Sequence, residues 1–176
     1  MKTITTFAVL MTFFATAWAE EESFKCEMEN PKIRIEIPEI PQVKMTDHPL
    51  KAAQPHLRLA GSSNGYTVSV AIPTVDAGMT PKECAISLAG DLARRHKLTP
   101  ENSFFEPAGA DTFQFRFILD LGDGSHQMNS YIFSGYEGTH AVNVHISKTT
   151  KEKEDMDQWL KGFPKALVTN TKKVDK

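Results

Sequence analysis

The sequence predicts an exported α+β domain, with an antiparallel sheet of about six strands packed by two main helices. Three observations predict it. Residues 1–19 form an apolar leader. Phe113, Phe115, Phe117, Leu119 and Leu121 alternate strictly before a Gly-Asp-Gly turn. Thr80-Pro81-Lys82-Glu83 has the composition of a capped helix start.

The leader begins with Lys2, continues as an apolar run from Ile4 to Trp18, and ends Ala17-Trp18-Ala19, the small-x-small form cut on export. The expected location is the bacterial periplasm, with release to the medium as the alternative. No second long apolar run follows, so no membrane anchor is expected after cleavage. Formal net charge is −2 over 176 residues, and the leader removes Lys2 and no acid. A slightly acidic mature chain argues against nucleic acid or an anionic membrane surface as partner. Cys26 and Cys84 are both in the mature part, and in an oxidising compartment they are expected to form a disulfide. Closing the loop between them would stabilise the fold by about 4 kcal/mol.

Along the chain, Glu20 to Glu22 reads as a frayed start. Ile33, Ile35 and Ile37 alternate as one face of a strand that Pro38 and Pro41 end, and Pro41 to Pro55 reads as irregular connection. Leu57 and Leu59 lead into Ser62-Ser63-Asn64-Gly65, a hairpin turn signal, and Tyr66, Val68, Val70 and Ile72 line the returning strand. Thr80 caps the first helix, Pro81 suits its first position and Glu83 completes a capping box. Ala85, Leu88, Ala89 and Leu92 then recur at helical spacing, and Arg94 to Lys97 complements the dipole at its end.

The alternating run at Phe113 to Leu121 turns at Gly122-Asp123-Gly124, returns over Ser125 to Ser134, and turns again into Thr139 to Ser147, an antiparallel meander. The last helix is expected to start near Thr149, with Glu152 completing a second capping box. It would bury Met156, Trp159, Leu160 and Phe163 and stop at Gly162-Phe163-Pro164. The organisation is therefore a leader (1–19), an N-terminal strand and proline-rich segment (20–56), an α+β domain (57–168) and a disordered tail (169–176).

The order strand, hairpin, helix, three-strand meander, helix resembles the PsbP-like and DcrB-like α+β domains. The resemblance spans residues 57–167 and rests on the TVSVAIP…TPKE…LAGDLARRH block, the FQFRFILDLGDG strand and turn, and the DMDQWLKGF helix. It implies an antiparallel sheet with helices on its faces and an accessory, assembly or binding role. It brings no shared active site to carry onto these residues.

The meander suggests one candidate binding face. If Leu121 pairs with Ser125, Asp120 lies opposite His126, Ile118 opposite Met128 and Arg116 opposite Ser130. If Ser134 and Thr139 flank the next turn, Met128 faces His145 and Asn143 faces Ser130. One face then displays Arg116, Asp120, His126, Met128, Asn143 and His145. The other carries Phe113, Phe115, Phe117, Leu119, Tyr131, Phe133, Val142, Val144 and Ile146 as core, with His140 among them. Asp120, His126, Met128 and His145 combine carboxylate, imidazole and thioether, ligand types suited to copper or zinc. The plainer reading of the same residues is a polar face with an Asp-His ion pair. His48 and His56, near Met45, form a second, looser ligand set.

No Gly-x-Ser-x-Gly elbow, Gly-x-Gly-x-x-Gly turn or Walker loop occurs. The expected function is accordingly a non-enzymatic accessory or binding protein with no cofactor. Its partner would be another periplasmic or exported protein, as for an inhibitor, an immunity protein or an envelope assembly factor. The alternatives are a transition-metal or small-ligand binder and a hydrolase using Asp120 with a neighbouring histidine.

Overall fold

The computed structural model describes residues 23–29, 31–73, 80–109, 111–136, 140–162 and 164–170. The leader, Glu20 to Glu22 and the chain after Asn170 lie outside the described residues. The elements are β1 (Ser23–Glu29), β2 (Lys32–Pro41), β3 (Thr46–Asp47), β4 (Leu57–Ser63), β5 (Tyr66–Ala71), α1 (Pro81–His96), β6 (Ser103–Gly109), β7 (Thr112–Asp120), β8 (His126–Tyr136), β9 (His140–Thr150), α2 (Lys153–Leu160) and β10 (Leu167–Asn170). The class is α+β as expected. The sheet count is not: a three-stranded sheet, β1-β2-β10, faces a seven-stranded one, β3-β4-β5-β9-β8-β7-β6.

The small sheet exists because alternation puts Phe24 and Cys26 of β1 and Ile33, Ile35 and Ile37 of β2 on one face, all buried. Cys26 pairs with Ile35, and Val168 of β10 covers Ile35 from the other side. That face packs on Val68, Val70, Ile132, Val142, Val144 and Ile146 of the large sheet, with Met128 and Trp159 in the same cluster. Pro38 does not end β2. Phe24 pairs with Ile37 and Ser23 with Pro41, so Pro38 sits in a bulge where no ladder N–H is needed. Nor is the tail free from residue 169 onward, because Thr169 and Asn170 pair with Arg34 and Ile33.

The proline-rich connection is packed across the large sheet. Val43 is fully buried, and a Cβ on Gly61 would stand 2.4 Å from the Lys44 carbonyl oxygen and 2.8 Å from Val43 Cγ1, so only glycine fits beneath it. The β4–β5 hairpin closes as its Asn-Gly pair predicts, with φ of 49° at Asn64 and 79° at Gly65.

α1 starts as expected. The Glu83 N–H donates to Thr80 Oγ1 (3.2 Å) and the Thr80 N–H to Glu83 Oε2 (2.7 Å), which also lowers the Glu83 carboxyl below its ordinary range. Its stripe of Leu88, Ala89 and Leu92 packs on Phe115, Phe117 and Tyr131, on the face of the large sheet away from the small one. α2 lacks the expected second capping box: it begins at Lys153, and Glu152 makes no side-chain cap. The Glu152 N–H instead donates to Thr150 Oγ1 (3.0 Å). That hydroxyl and Lys148 Nζ donate to Asp155 Oδ2 (2.7 and 2.8 Å), tying the first turn to β9 and lowering the Asp155 carboxyl. Trp159 is fully buried, and its indole N–H donates to the Asn129 carbonyl (3.0 Å). Of the other expected contacts, Met156 packs against the core and Phe163 lies outside the described residues.

The expected disulfide is absent. Cys26 is in the core beneath one face of the large sheet, and Cys84 is on α1 over the other face. Packed layers stand about 10 Å apart. Two such steps separate these residues, against a Cα separation limit of about 7 Å for a disulfide. Burial raises the Cys26 thiol pKa, aided by the charge of Glu27.

Three substitutions test this packing. Trp159→Phe keeps most of the apolar contact but strands the Asn129 carbonyl, and should cost about 1–3 kcal/mol in urea unfolding. Trp159→Ala should cost about 3–5 kcal/mol through the cavity it leaves. Equal stability of Trp159→Phe and wild type would show that the indole bond contributes nothing. Gly61→Ala should lose about 1–3 kcal/mol by forcing the Val43–Lys44 segment off the sheet.

Candidate functional site

The β7–β8 ladder has the register expected from its turn: Asp120 pairs with His126, Ile118 with Met128 and Arg116 with Ser130. The β8–β9 ladder does not. It extends to Tyr136 opposite His140, which places Met128 opposite Lys148, His145 opposite Tyr131 and Asn143 opposite Phe133. The difference from expectation is an odd number of residues, so every side chain of β9 changes face. Asn143 and His145 leave the face of Arg116 and Met128, and Val142, Val144 and Ile146 join it.

The face expected to be polar is therefore the main core. Arg116 and Met128 are 2% and 1% exposed. Arg116 is a packing and capping residue. Its Nη1 donates to the Trp159 carbonyl at the end of α2, its Nη2 pairs with Glu106 Oε1 (2.8 Å), and its guanidinium lies over the Phe104 ring. Desolvation lowers its pKa, partly offset by the Glu106 charge. Gln114, 1% exposed, donates to Ser130 Oγ and to the Pro164 carbonyl, both at 2.8 Å.

Asp120 and His126 are neighbours at the wet end of the ladder, but Asp120 Oδ1 is occupied by the Gly122 N–H (2.8 Å) and shapes the turn. Asp123 likewise accepts from the Ser125 N–H and hydroxyl, which lower its pKa. The four expected metal ligands are not assembled. Met128 is in the core, His145 is on the opposite face, and no group of three His, Cys, Asp or Glu positioned for a metal occurs among the described residues. His48 accepts the Leu50 N–H at Nδ1 (3.1 Å) in a turn, His56 is exposed, and Met45 packs on the core.

The α1 side of the large sheet is organised differently. One row across it reads Thr46, Ala60, Ser69, His145, Tyr131, Phe115, Phe105. The row beside it reads Ser62, Thr67, Ser147, Asn129, Phe117, Ser103. On the other side lie Leu57, Ala71, Asn143, Phe133, Phe113, Pro107. The face is largely aromatic over β6 to β8, where α1 packs, and, Leu57 apart, small and polar over β9, β5 and β4. Of these polar residues the sequence reading singled out only Asn143 and His145, and on the other face; Ser62, Thr67, Ser69 and Ser147 have the types of any wet strand. Only the register gathers them.

His145 stands at the boundary. Its ring stacks on Tyr131 (centroids 4.1 Å, 12° between planes), and the stack continues through Phe117 to His96. Asn129 fixes the tautomer. Its Nδ2 donates to the Gln127 carbonyl (3.2 Å), so its Oδ1 accepts, and His145 Nε2 at 3.1 Å carries the proton. Nδ1 then holds a lone pair. Desolvation lowers the imidazole pKa from 6.5 to about 4, so the ring is neutral near neutral pH. Two residues along β9, Asn143 Oδ1 is shielded from solvent and has no hydrogen-bond partner.

Stability should follow His145. The folded state resists protonation and the unfolded state does not, so stability holds above pH 6.5 and falls as the pH drops toward about 4. The loss over that window is about 3 kcal/mol. Thermal unfolding across this range checks it: His145→Gln should flatten the profile, and an unchanged profile would assign the acid loss to other groups.

No protein-family model matches the chain, and no curated protein is similar to it in sequence. Among solved structures it is similar to the solution structure of cyanobacterial PsbP (CyanoP) from Synechocystis sp. PCC 6803. The TM-score is 0.49 at 10% sequence identity, over 87% of this chain and 96% of that one.

Proposed function

We propose that this chain is an exported, non-enzymatic accessory protein of the bacterial periplasm that acts by binding another exported protein. The recognition surface in this reading is the small, polar half of the α1-side face, on β4, β5 and β9. One observation carries it: α1 packs on the aromatic residues of β7 and β8 and not on the neighbouring rows of Ala60, Ser62, Thr67, Ser69, Ala71 and Asn143. The sheet edges favour a face over strand addition. β6 carries Pro107, and β1 presents Lys25, Glu27 and Glu29 outward. The partner's role, whether a toxin to be held inactive or an envelope component to be assembled, follows from its identity.

Affinity capture from periplasmic extract, using the chain without residues 1–19, tests the reading. A single stoichiometric partner should be retained by wild type and by Ile86→Glu on the outer face of α1. It should be lost, by at least about tenfold in affinity, with Thr67→Arg or Ser69→Arg. Retention by all variants alike, or no stoichiometric partner, would sink the proposal.

A further inference from the structure

We propose that the cleft at the end of α2 binds a small zwitterion of the amino-acid class, with its carboxylate held by Lys161 and Lys165 and its ammonium by Glu39. The site is on the small-sheet side of the molecule, across the large sheet from the surface assigned to a protein partner. It does not depend on that reading.

The cleft has a volume of about 290 Å³ and is lined by Glu39 of β2, by Gln158, Lys161 and Gly162 at the end of α2, and by Lys165 beyond it. That volume is near the lower end of small-molecule sites, roughly 300 Å³. Apart from Gly162, the lining residues are exposed, so their charged ends are open to a ligand from solvent.

The floor depends on Gly162. Its φ of 106° is a conformation that glycine adopts without strain. A Cβ there would stand 3.5 Å from Glu106 Oε1, 3.7 Å from Lys165 Cε and 3.9 Å from Arg116 Nη2. Beneath the glycine is therefore the Arg116–Glu106 ion pair, whose charges balance each other. Arg116 also donates to the Trp159 carbonyl, which offsets the negative end of the helix.

The charges left to select a ligand are those of the rim. Lys51, Lys148 and Lys153 each pair with an aspartate. Lys161 and Lys165 have no such partner among the described residues, and no ion pair joins either of them to Glu39. Glu39 Oε2 accepts the Lys165 N–H (3.4 Å), which holds that wall and leaves Oε1 to accept from a ligand. Two ammonium groups and a carboxylate that share a cleft without meeting are complementary to a molecule carrying both signs. A bare anion would leave Glu39 unmatched, and a bare cation would leave both lysines so. The methylene stems of the two lysines add an apolar wall, which suits an aliphatic side chain.

The experiment is an NMR titration of the folded chain with three probes. L-leucine carries both charges, L-leucinamide only the ammonium, and N-acetyl-L-leucine only the carboxylate. L-leucine should shift the signals of Gln158, Lys161, Gly162 and Lys165 to saturation, with a Kd of about 1 mM or below. Each analogue should bind at least about tenfold more weakly. The double variant Lys161→Gln, Lys165→Gln should weaken L-leucine binding at least about tenfold. Glu39→Gln should abolish the preference for L-leucine over N-acetyl-L-leucine. All three positions are exposed, so the variants should keep the wild-type spectrum away from the cleft. The assignment is overturned by the absence of a saturable shift at these residues, by an analogue that binds as well as L-leucine, or by L-leucine binding that is unchanged in the variants.

Discussion

Val142, Val144 and Ile146 of β9 are fully or almost fully buried against the isoleucine face of the small sheet, and the rest of the molecule is arranged around that burial. β9 is the central strand of seven, laddered to β5 on one side and β8 on the other. Once its apolar side chains face Ile33, Ile35 and Ile37, its polar ones must face α1. Each buried aliphatic side chain contributes roughly 1.5–3 kcal/mol, so a slip that exposed all three would cost about 4.5–9 kcal/mol, comparable to the whole stability of a typical domain. That energy fixes the register, and the register fixes which polar groups share a surface.

The buried polar groups of the core serve the same layer. Arg116 and Gln114 project from β7 into the space between the sheets, Arg116 bonding the Trp159 carbonyl at the end of α2 and Gln114 the Pro164 carbonyl just after it. A helix end leaves carbonyls without intrahelical partners, and a guanidinium beneath it satisfies one while Glu106 balances the charge. With Trp159 donating to the Asn129 carbonyl, α2 is held to the sheet at both ends, since Asp155 already ties its first turn to Lys148 and Thr150.

On the far face the division of labour is between helix and solvent. α1 has a narrow stripe and covers the phenylalanine rows of β7 and β8, as its Leu88, Ala89 and Leu92 require. What distinguishes the polar rows of β9, β5 and β4 from an ordinary wet strand is His145, held rigid by Tyr131 and Asn129, and the unpaired oxygen of Asn143 beside it.

Much of the fold was legible in short-range chemistry. Strict alternation marked β2, β5 and β7, Asn64-Gly65 set its hairpin, and Thr80 to Glu83 placed the start of α1, each a local rule with a local cause. The Asp120–His126 pairing was legible for the same reason, since Gly122 and Gly124 define a tight turn. β1 escaped notice although Phe24, Cys26 and Met28 alternate, because charged residues separate them and only pairing with β2 holds the strand, and β6 because it has no alternating pattern of its own. The second capping box failed because Thr150 and Asp155 satisfied the same end of α2 by another route. Neither the missing disulfide nor the face of His145 could be read from spacing. Cys26 and Cys84 are parted by a whole sheet layer, and the face of β9 was decided by which side the small sheet came to cover. Local propensity and turn chemistry determined the elements of this protein. Burial of one apolar face against a second sheet, a tertiary event, decided which of its polar residues meet.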